Sequence, residues 1–300
     1  MASLGRYRLD QVLGSGSFAT VWRGYDPELD VVVAVKVLAD NWSLDADVRA
    51  RFLAEARLLR RISSDRVVRV HDVGIADDRP YFVMDHVGGG SLADRVGSLE
   101  PAEAVRLTVE AAYAVQVLHD AGVVHRDVKP GNLLLDTTDP PRVLVADLGS
   151  AKLLADASGY TVTTGTPAYM APEQAGLDGG FDGRADVYAL AVVGYELLGG
   201  RRPFDVPAAT GTGPGARRDD PSPVAAPRGL PGAVDAVLAS GLRLDPTERP
   251  ADARELADAL VRASGDVGPA RSGRSWPAWI VVVVAVVLFV VSALVVSRLR

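Results

Sequence analysis

The chain has 300 residues, no cysteine, and 38 acidic against 32 basic side chains, which gives a formal net charge of -6. The absence of cysteine excludes a disulfide-stapled scaffold, a thiolate metal site and a thiol nucleophile. The acidic balance argues against a nucleic-acid partner, because neutralising phosphates requires a surplus of lysine and arginine. A mean hydropathy of +0.13 is high for a chain in which 23% of the residues are charged, so we expect the apolar residues to be concentrated in one segment.

Two patterns of hydrophobicity divide most of the chain into two predicted lobes. Short β-branched runs predict four strands that begin near residues 7, 20, 31 and 79, and one amphipathic helix is predicted between residues 44 and 62. Beyond residue 91 helical patterns dominate, among them 101–119, which has a proline at its start and Gly122 just past its end. The sequence therefore predicts an α+β fold with a β-rich N-terminal lobe at about 7–87 and an α-rich C-terminal lobe at about 88–262.

The turn between the first two predicted strands is rich in glycine and reads LGSGSFATV, residues 13–21. Its glycines would let the backbone approach phosphate oxygens closely. The dinucleotide-binding fingerprint is excluded, because a strand rather than a helix follows and Ala19 stands where the third glycine belongs. Taken alone, the turn is also compatible with an ordinary glycine turn between strands.

Two charged side chains fall in apolar patterns. Lys36 interrupts the run VVVAVKVL, where a buried ammonium group needs an anion, although the lysine could also reach solvent from the strand end. In the following helix Glu55 shares one stripe with Phe52, Leu59 and Ile62. Pairing of Lys36 with Glu55 satisfies both charges; the alternative is a glutamate at the edge of the stripe that reaches solvent.

The strongest motif is HRDVKPGN, residues 125–132, which a short β pattern and then Asp147 follow. Phosphoryl transfer needs a carboxylate to orient the attacking hydroxyl, cations for the moving phosphate and hard oxygen ligands for Mg²⁺. Asp127, Asn132 and Asp147 supply the oxygens, and Arg126 and the nearby lysine supply the cations. An HRD tripeptide alone is common, but the whole combination is specific.

The order of these motifs resembles that of the Hanks-type serine/threonine protein kinases, particularly their membrane-anchored bacterial branch, and the resemblance covers about 7–260. It implies the two-lobed protein kinase fold. The catalytic residues that it implies are Lys36, Glu55, Asp127, Lys129, Asn132 and Asp147. Asp127 would be the catalytic carboxylate and Lys129 the contact to the γ-phosphate, while Asn132 and Asp147 would bind Mg²⁺ or Mn²⁺.

The resemblance also implies an ATP site. Its residues would be Leu13, Gly14, Ser15, Gly16, Ser17, Phe18, Ala19, Thr20, Val21, Ala34, Lys36, Met84, Asp85, Val87 and Leu134. Met84 would be the gatekeeper, and residues 85–87 would form the hinge that offers backbone hydrogen bonds to adenine. Three apolar side chains would sandwich the base, those of Val21, Ala34 and Leu134.

Further matches favour a protein substrate. The run GTPAYMAPE, residues 165–173, resembles the end of the family's activation segment, which small-molecule phosphotransferases of this fold usually lack. By resemblance, Thr166 would contact the catalytic loop, and Glu173 would form a buried pair with Arg249. Asp186 would hydrogen-bond to the catalytic-loop backbone from a central helix.

Regulation by phosphorylation is implied by Arg126, whose guanidinium could pair with a phosphothreonine. The candidate hydroxyls are those of Ser158, Thr161, Thr163 and Thr164. The alternative is that they are ordinary loop hydroxyls. Self-association for autophosphorylation in trans is expected if the chain is confined to a membrane.

The sequence departs from the family pattern at three places. Leu148 replaces the commoner phenylalanine of the DFG motif and keeps an apolar side chain there. Ala191 stands where the family usually has glycine. The proline- and glycine-rich stretch 205–232 replaces a region that normally holds a substrate-docking helix, so helical structure there is in doubt.

Residues 279–297 read WIVVVVAVVLFVVSALVVS, nineteen residues without a charge, and predict a membrane-spanning helix; a buried core helix would rarely be apolar on every face. Residues 263–278 predict a flexible linker. The N-terminus lacks the apolar region of a signal peptide, so we expect a single-pass protein of the cell membrane with its kinase domain in the cytoplasm.

The sequence as a whole predicts an ATP-dependent serine/threonine protein kinase; the alternatives are a pseudokinase scaffold and a small-molecule phosphotransferase.

Overall fold

The computed structural model describes residues 2–16, 18–148, 167–175, 182–204 and 220–265. The N-terminal lobe is built on an antiparallel sheet of six strands in the order β1-β2-β3-β4-β6-β5. The strands are β1 (Ala2–Leu4), β2 (Tyr7–Ser15), β3 (Ala19–Asp26), β4 (Val31–Leu38), β5 (Val70–Ala76) and β6 (Arg79–Asp85). The glycine-rich turn joins β2 to β3, where the Gly16 N–H donates to the Ala19 carbonyl at 2.9 Å.

Two helices stand between β4 and β5: α1 (Asp40–Ser43) and α2 (Ala46–Arg61). The helix α2 begins two residues later than the predicted start at 44, because the Asp45 carboxylate accepts the Asp47 and Val48 N–H groups and so caps the helix. Its buried stripe lies against the sheet and comprises Val48, Phe52, Glu55, Ala56 and Leu59. The amphipathic pattern of the sequence therefore indicated the correct face.

The C-terminal lobe is mainly helical within the described residues, with α3 (Pro101–Asp120), α4 (Arg184–Gly199), α5 (Gly232–Gly241) and α6 (Ala253–Ser264). A two-stranded sheet of β7 (Leu133–Leu135) and β8 (Val143–Val145) lies under the cavity between the lobes. Nearly every side chain of α4 is buried, which is typical of a central helix. A Cβ at Gly194 would lie 2.7 Å from Thr108 Cγ2, so glycine lets α4 approach α3 closely. Short 3-10 turns occupy Leu92–Arg95, Pro130–Asn132, Pro167–Tyr169, Pro172–Ala175, Ala226–Arg228 and Pro246–Glu248.

The predicted two-lobed architecture is confirmed, and all four predicted N-terminal strands are present. The sequence pattern did not predict β1 or β5. The strand β1 has only three residues, and in β5 the register shifts between Val70 and Asp72, which breaks the alternation of apolar and polar residues.

In the described part of 205–232 the only helical turn is a short 3-10 turn, and α5 begins at Gly232. Across all the described residues, no helix has both the length and the apolar character needed to cross a membrane. The predicted span 279–297 lies outside those residues, as does the linker from 266 onward. The predicted domain boundaries stay a prediction.

Candidate active site

A cavity of about 740 Å³ opens between the two lobes, a volume in the range of small-molecule sites. Most residues predicted for ATP binding and catalysis line it: Leu13, Gly14, Ser15, Gly16, Phe18, Ala19, Val21, Ala34, Lys36, Met84, Asp85, Val87, Asp127, Lys129, Asn132, Leu134 and Asp147. Two of the predicted residues that the structure describes do not. Glu55 contacts Lys36 without lining the cavity, Thr20 is not part of the cavity wall, and Ser17 lies outside the described residues.

The cavity wall also contains residues that the sequence analysis had not assigned to it, namely Gly90, Ser91, Asp94, Gly131, Ala146 and Leu148. The Asp94 carboxylate accepts the Ser91 N–H at 2.7 Å and the Ser91 hydroxyl at 2.9 Å. These two hydrogen bonds hold the pKa of Asp94 below its usual value. The Ser-x-x-Asp spacing after a glycine run was the signal that could have identified this part of the wall.

Lys36 is the buried cation of the cavity. Because side chains alternate along a strand, Lys36 lies on the same face of β4 as Ala34. Its Nζ is 3.1 Å from Glu55 Oε1 and 3.0 Å from Asp147 Oδ1, and it lies 5.3 Å from the centroid of the Phe82 ring. Burial by itself would lower the pKa of Lys36, but the charges of Asp147 and Glu55 outweigh burial and raise it. The structure thus confirms the predicted pair of Lys36 and Glu55 and shows Asp147 as a second partner of the lysine.

Asp127 lies on the loop between α3 and β7. Lys129 Nζ donates to Asp127 Oδ2 at 2.6 Å. Asn132 Nδ2 donates to the same oxygen at 3.1 Å and to the Asp127 carbonyl at 2.8 Å. These two donors to one oxygen fix the orientation of the Asp127 carboxylate at the cavity wall. One of the donors, Lys129, is also the residue predicted to contact the γ-phosphate.

Asp186 holds the backbone of this loop from α4, as the sequence analysis expected. One of its oxygens accepts the His125 N–H and the other accepts the Arg126 N–H, both at 2.8 Å. His119 Nε2 lies 2.8 Å from the first of these oxygens. Arg126 has a φ of +71°, which is uncommon for a residue with a Cβ and costs about 1–3 kcal/mol. Hydrogen bonds from a buried helix therefore stabilise a strained catalytic loop.

Asp147 lies just beyond β8 and lines the same cavity as Asn132. The backbone φ of Asp147 is +56°. Its buried Oδ1 forms an ion pair with Lys36 and has no further polar partner among the described residues. Together with the amide oxygen of Asn132 it offers hard oxygen ligands, whereas the Asn132 amide nitrogen is occupied by Asp127. No three His, Cys, Asp or Glu side chains among the described residues form a metal cluster. The pair suits a cation that takes its remaining ligands from phosphates and water, as Mg²⁺ does.

The hinge carries little positive charge. Asp85 donates its N–H to the Arg69 carbonyl at 3.0 Å, and its carboxylate lies 2.6 Å from His71 Nε2. Burial, helped by the charge of Arg23, lowers the pKa of His86, so its imidazole is neutral at physiological pH. The hinge thus presents no cationic side chain, and with buried Met84 behind it the hinge suits an uncharged aromatic base.

The predicted pair between Glu173 and Arg249 is formed. Arg249 donates from two nitrogens to the two Glu173 carboxylate oxygens at 2.6 and 2.8 Å, and it also donates to the carbonyls of Arg184, Arg243 and Leu244. The Arg249 side chain is fully buried. This bidentate pair therefore ties the segment 167–175 to the C-terminal lobe.

Replacing Arg249 with alanine should lower the free energy of unfolding by about 3–5 kcal/mol, because the variant leaves the Glu173 carboxylate without its main cation. Arg254→Ala is the matched control. Its pair with Asp120 is more than half exposed on both sides, so its loss should cost no more than about 1 kcal/mol. Urea unfolding of the two variants measures both effects; equal losses would contradict the structural importance of the buried pair.

The structure accounts for two of the three departures. Leu148 is buried in the main hydrophobic core, so it still acts as an apolar plug. Ala191 is fully buried, and a Cβ at Gly241 would lie 2.7 Å from the Ala191 Cβ. Glycine at 241 therefore provides the space that alanine at 191 fills. Thr166 and the four candidate phosphorylation sites lie outside the described residues.

Comparisons with known proteins agree with this geometry. The family model described as protein kinase domain matches residues 7–259. The serine/threonine-protein kinase PknJ of Mycobacterium tuberculosis is 39% identical over 268 residues, which cover 86% of this chain and 45% of PknJ. PknA of the same organism is 36% identical over 284 residues, which cover 91% of this chain and 64% of PknA. The chain thus spans about half to two-thirds of the length of these relatives.

A solved structure shows the same fold. The crystal structure of the kinase domain of PknI from M. tuberculosis superposes with a TM-score of 0.68 at 32% identity, covering 88% of this chain and 98% of that domain. The family model and this structure cover both lobes and the cavity between them. Both support the resemblance to Hanks-type serine/threonine kinases, and we conclude that this chain belongs to the protein kinase domain family.

Proposed function

We propose that the chain is an ATP-dependent serine/threonine protein kinase that transfers the γ-phosphate of ATP to hydroxyls of protein substrates. The observation that carries this proposal is the convergence of Lys36, Asp127 and Asp147 on one cavity, with Glu55 pairing the lysine from behind. The names of the relatives support the same activity.

In the proposed reaction the substrate hydroxyl attacks the γ-phosphorus in line, a new O–P bond forms, and the bond to the bridging oxygen breaks to release ADP. Asp127 orients the hydroxyl and accepts its proton. Lys129 and Lys36 offset the negative charge on the phosphates, and the Glu55 contact keeps the Lys36 ammonium in place. A divalent cation, for which Asn132 and Asp147 are the fitting ligands, supplies charge neutralisation when bound; we propose Mg²⁺, with Mn²⁺ as the substitute.

Incubation of the full chain with γ-labelled ATP, Mg²⁺ and a generic basic protein tests the proposal. We expect label on serine and threonine of the added protein after acid hydrolysis. Absence of any transfer would favour a pseudokinase scaffold, and transfer to small hydroxyl compounds without protein labelling would favour a small-molecule phosphotransferase. Either result would contradict the proposed activity.

We further propose that residues 279–297 anchor the chain in the cell membrane with the kinase domain in the cytoplasm. Nineteen uncharged residues at about 1.5 Å per residue are long enough to span the hydrocarbon core. We expect the full chain to sediment with membranes after a carbonate wash and a chain truncated after residue 265 to remain in the supernatant. Equal distribution of the two chains would contradict the anchor.

Confinement to a membrane would raise the effective concentration of the kinase domain and so favour self-association and autophosphorylation in trans. Arg126, beside the catalytic Asp127, supports a phosphate on the activation segment as the activating group. The candidate acceptors are Ser158, Thr161, Thr163 and Thr164.

A further inference from the structure

The glycine-rich turn is held at its tip by an aromatic stack. The rings of Phe18 and Trp42 lie 5.1 Å apart between centroids with an interplanar angle of 27°. Phe18 also lines the cavity between the lobes, whereas Trp42 lies on α1, outside the cavity wall. The stack therefore connects the turn to a segment that does not touch the cavity.

Backbone hydrogen bonds reinforce the same connection. The Ala39 N–H donates to the Phe18 carbonyl at 2.9 Å, and the Trp42 N–H donates to the Ala39 carbonyl at 2.9 Å. The Asp45 N–H in turn donates to the Trp42 carbonyl at 3.1 Å, directly before α2 begins. A continuous chain of contacts thus runs from the tip of the turn to the helix that carries Glu55.

The two rings differ in how firmly they are held. Trp42 packs against the main hydrophobic core, while Phe18 lies in the glycine-rich turn, which also contains Gly14 and Gly16. Glycine loses more conformational freedom than any other residue when it is ordered, so closing this turn over a ligand is entropically costly. A stack on an anchored ring reduces that cost before the ligand arrives, which is how preorganisation increases affinity.

We propose that Trp42 is a positioning residue for ATP binding, which acts through Phe18 to hold the glycine-rich turn over the phosphates. The inference rests on the proposed kinase function, because it takes the cavity to be the ATP site. Trp42 does not line the cavity, so we expect it to act on nucleotide affinity through its contact with Phe18.

The test measures the dissociation constant of the full chain for Mg²⁺ and a non-hydrolysable ATP analogue by calorimetry. Trp42→Ala should weaken binding roughly three- to tenfold, the range expected for loss of one aromatic pair, and Trp42→Phe should restore most of the affinity. Leu44→Ala is the matched control, since Leu44 follows α1 and is 90% exposed. Its affinity should equal that of the wild type.

A double-mutant cycle separates a positioning role from a general loss of stability. Phe18→Ala removes the same stack from a partly exposed position outside the core, so it tests the idea even where Trp42→Ala fails to fold. Trp42→Ala should have no further effect on affinity in a chain that already carries Phe18→Ala. Additive effects, or wild-type affinity in either single variant, would overturn the inference.

The outcomes also separate this inference from the proposed function. A wild-type chain that binds the analogue but transfers no phosphate contradicts the kinase activity and leaves the cycle informative. A wild-type chain that does not bind the analogue overturns both. Binding that Trp42→Ala does not change overturns only the inference.

Discussion

Replacing Asp127 with asparagine is expected to lower the rate of phosphoryl transfer by about 100-fold or more while the melting curve stays nearly unchanged. The side chain keeps its size, and an amide oxygen can still accept hydrogen bonds from Lys129 and Asn132. What the variant loses is the negative carboxylate that accepts the proton of the substrate hydroxyl. Initial rates with labelled ATP and differential scanning calorimetry of the full chain measure the two effects.

A variant with wild-type activity would contradict the role of Asp127, and a large drop in melting temperature would assign it a structural role. Ser91→Ala is a suitable comparison, because Ser91 lines the same cavity and lies outside the catalytic loop. We expect Ser91→Ala to change the maximal rate far less than Asp127→Asn.

Replacing Lys36 with methionine should remove activity and also destabilise the protein. The Glu55 side chain is fully buried, and Lys36 Nζ is within 3.1 Å of it and within 3.0 Å of Asp147. Breaking a buried pair by removing one partner typically costs about 3–5 kcal/mol, so the free energy of unfolding should fall by that order. The two losses have separate causes, because the lysine both contacts the phosphates and neutralises a buried carboxylate.

A second substitution separates them. In the variant Lys36→Met with Glu55→Leu no uncompensated carboxylate remains on the buried face of α2, so stability should recover toward the wild-type value while activity stays absent. Recovery of activity in the double variant would contradict the role of Lys36 toward ATP. Since the pKa of Lys36 is raised, the contribution of the lysine charge to stability is present throughout the neutral range and is lost on the alkaline side as the pH rises through that raised pKa.

The sequence indicated those parts of the site that rest on local patterns. Lys36 stood out because it is a charge in an apolar strand, and Glu55 because it lies on the apolar stripe of a helix. The loop motif and Asp147 followed from residue types that phosphoryl transfer requires. In the structure Lys36 pairs with Glu55 and Asp147, and the loop residues line the same cavity as Lys36. The patterns of β4 and α2 had already indicated on which face of its strand or helix each of the first two residues lies.

Contacts between distant segments were not predictable in the same way. The stack of Phe18 on Trp42 depends on a short helix, α1, that has no capping signal and too few residues for a period to be visible. Strand β5 was hidden by its irregular register near Asp72. The space at Gly241 that accommodates Ala191 became visible only once α4 and α5 were packed together.

The most direct test of the proposed kinase activity is a phosphopeptide map of the full chain after incubation with ATP and Mg²⁺, compared with a map of Asp127→Asn. We expect phosphate on serine and threonine in the wild type, including the segment from Ser158 to Thr164, and none in the variant. An unmodified wild type, or equal modification of the two chains, would contradict the proposed activity and the role of Asp127.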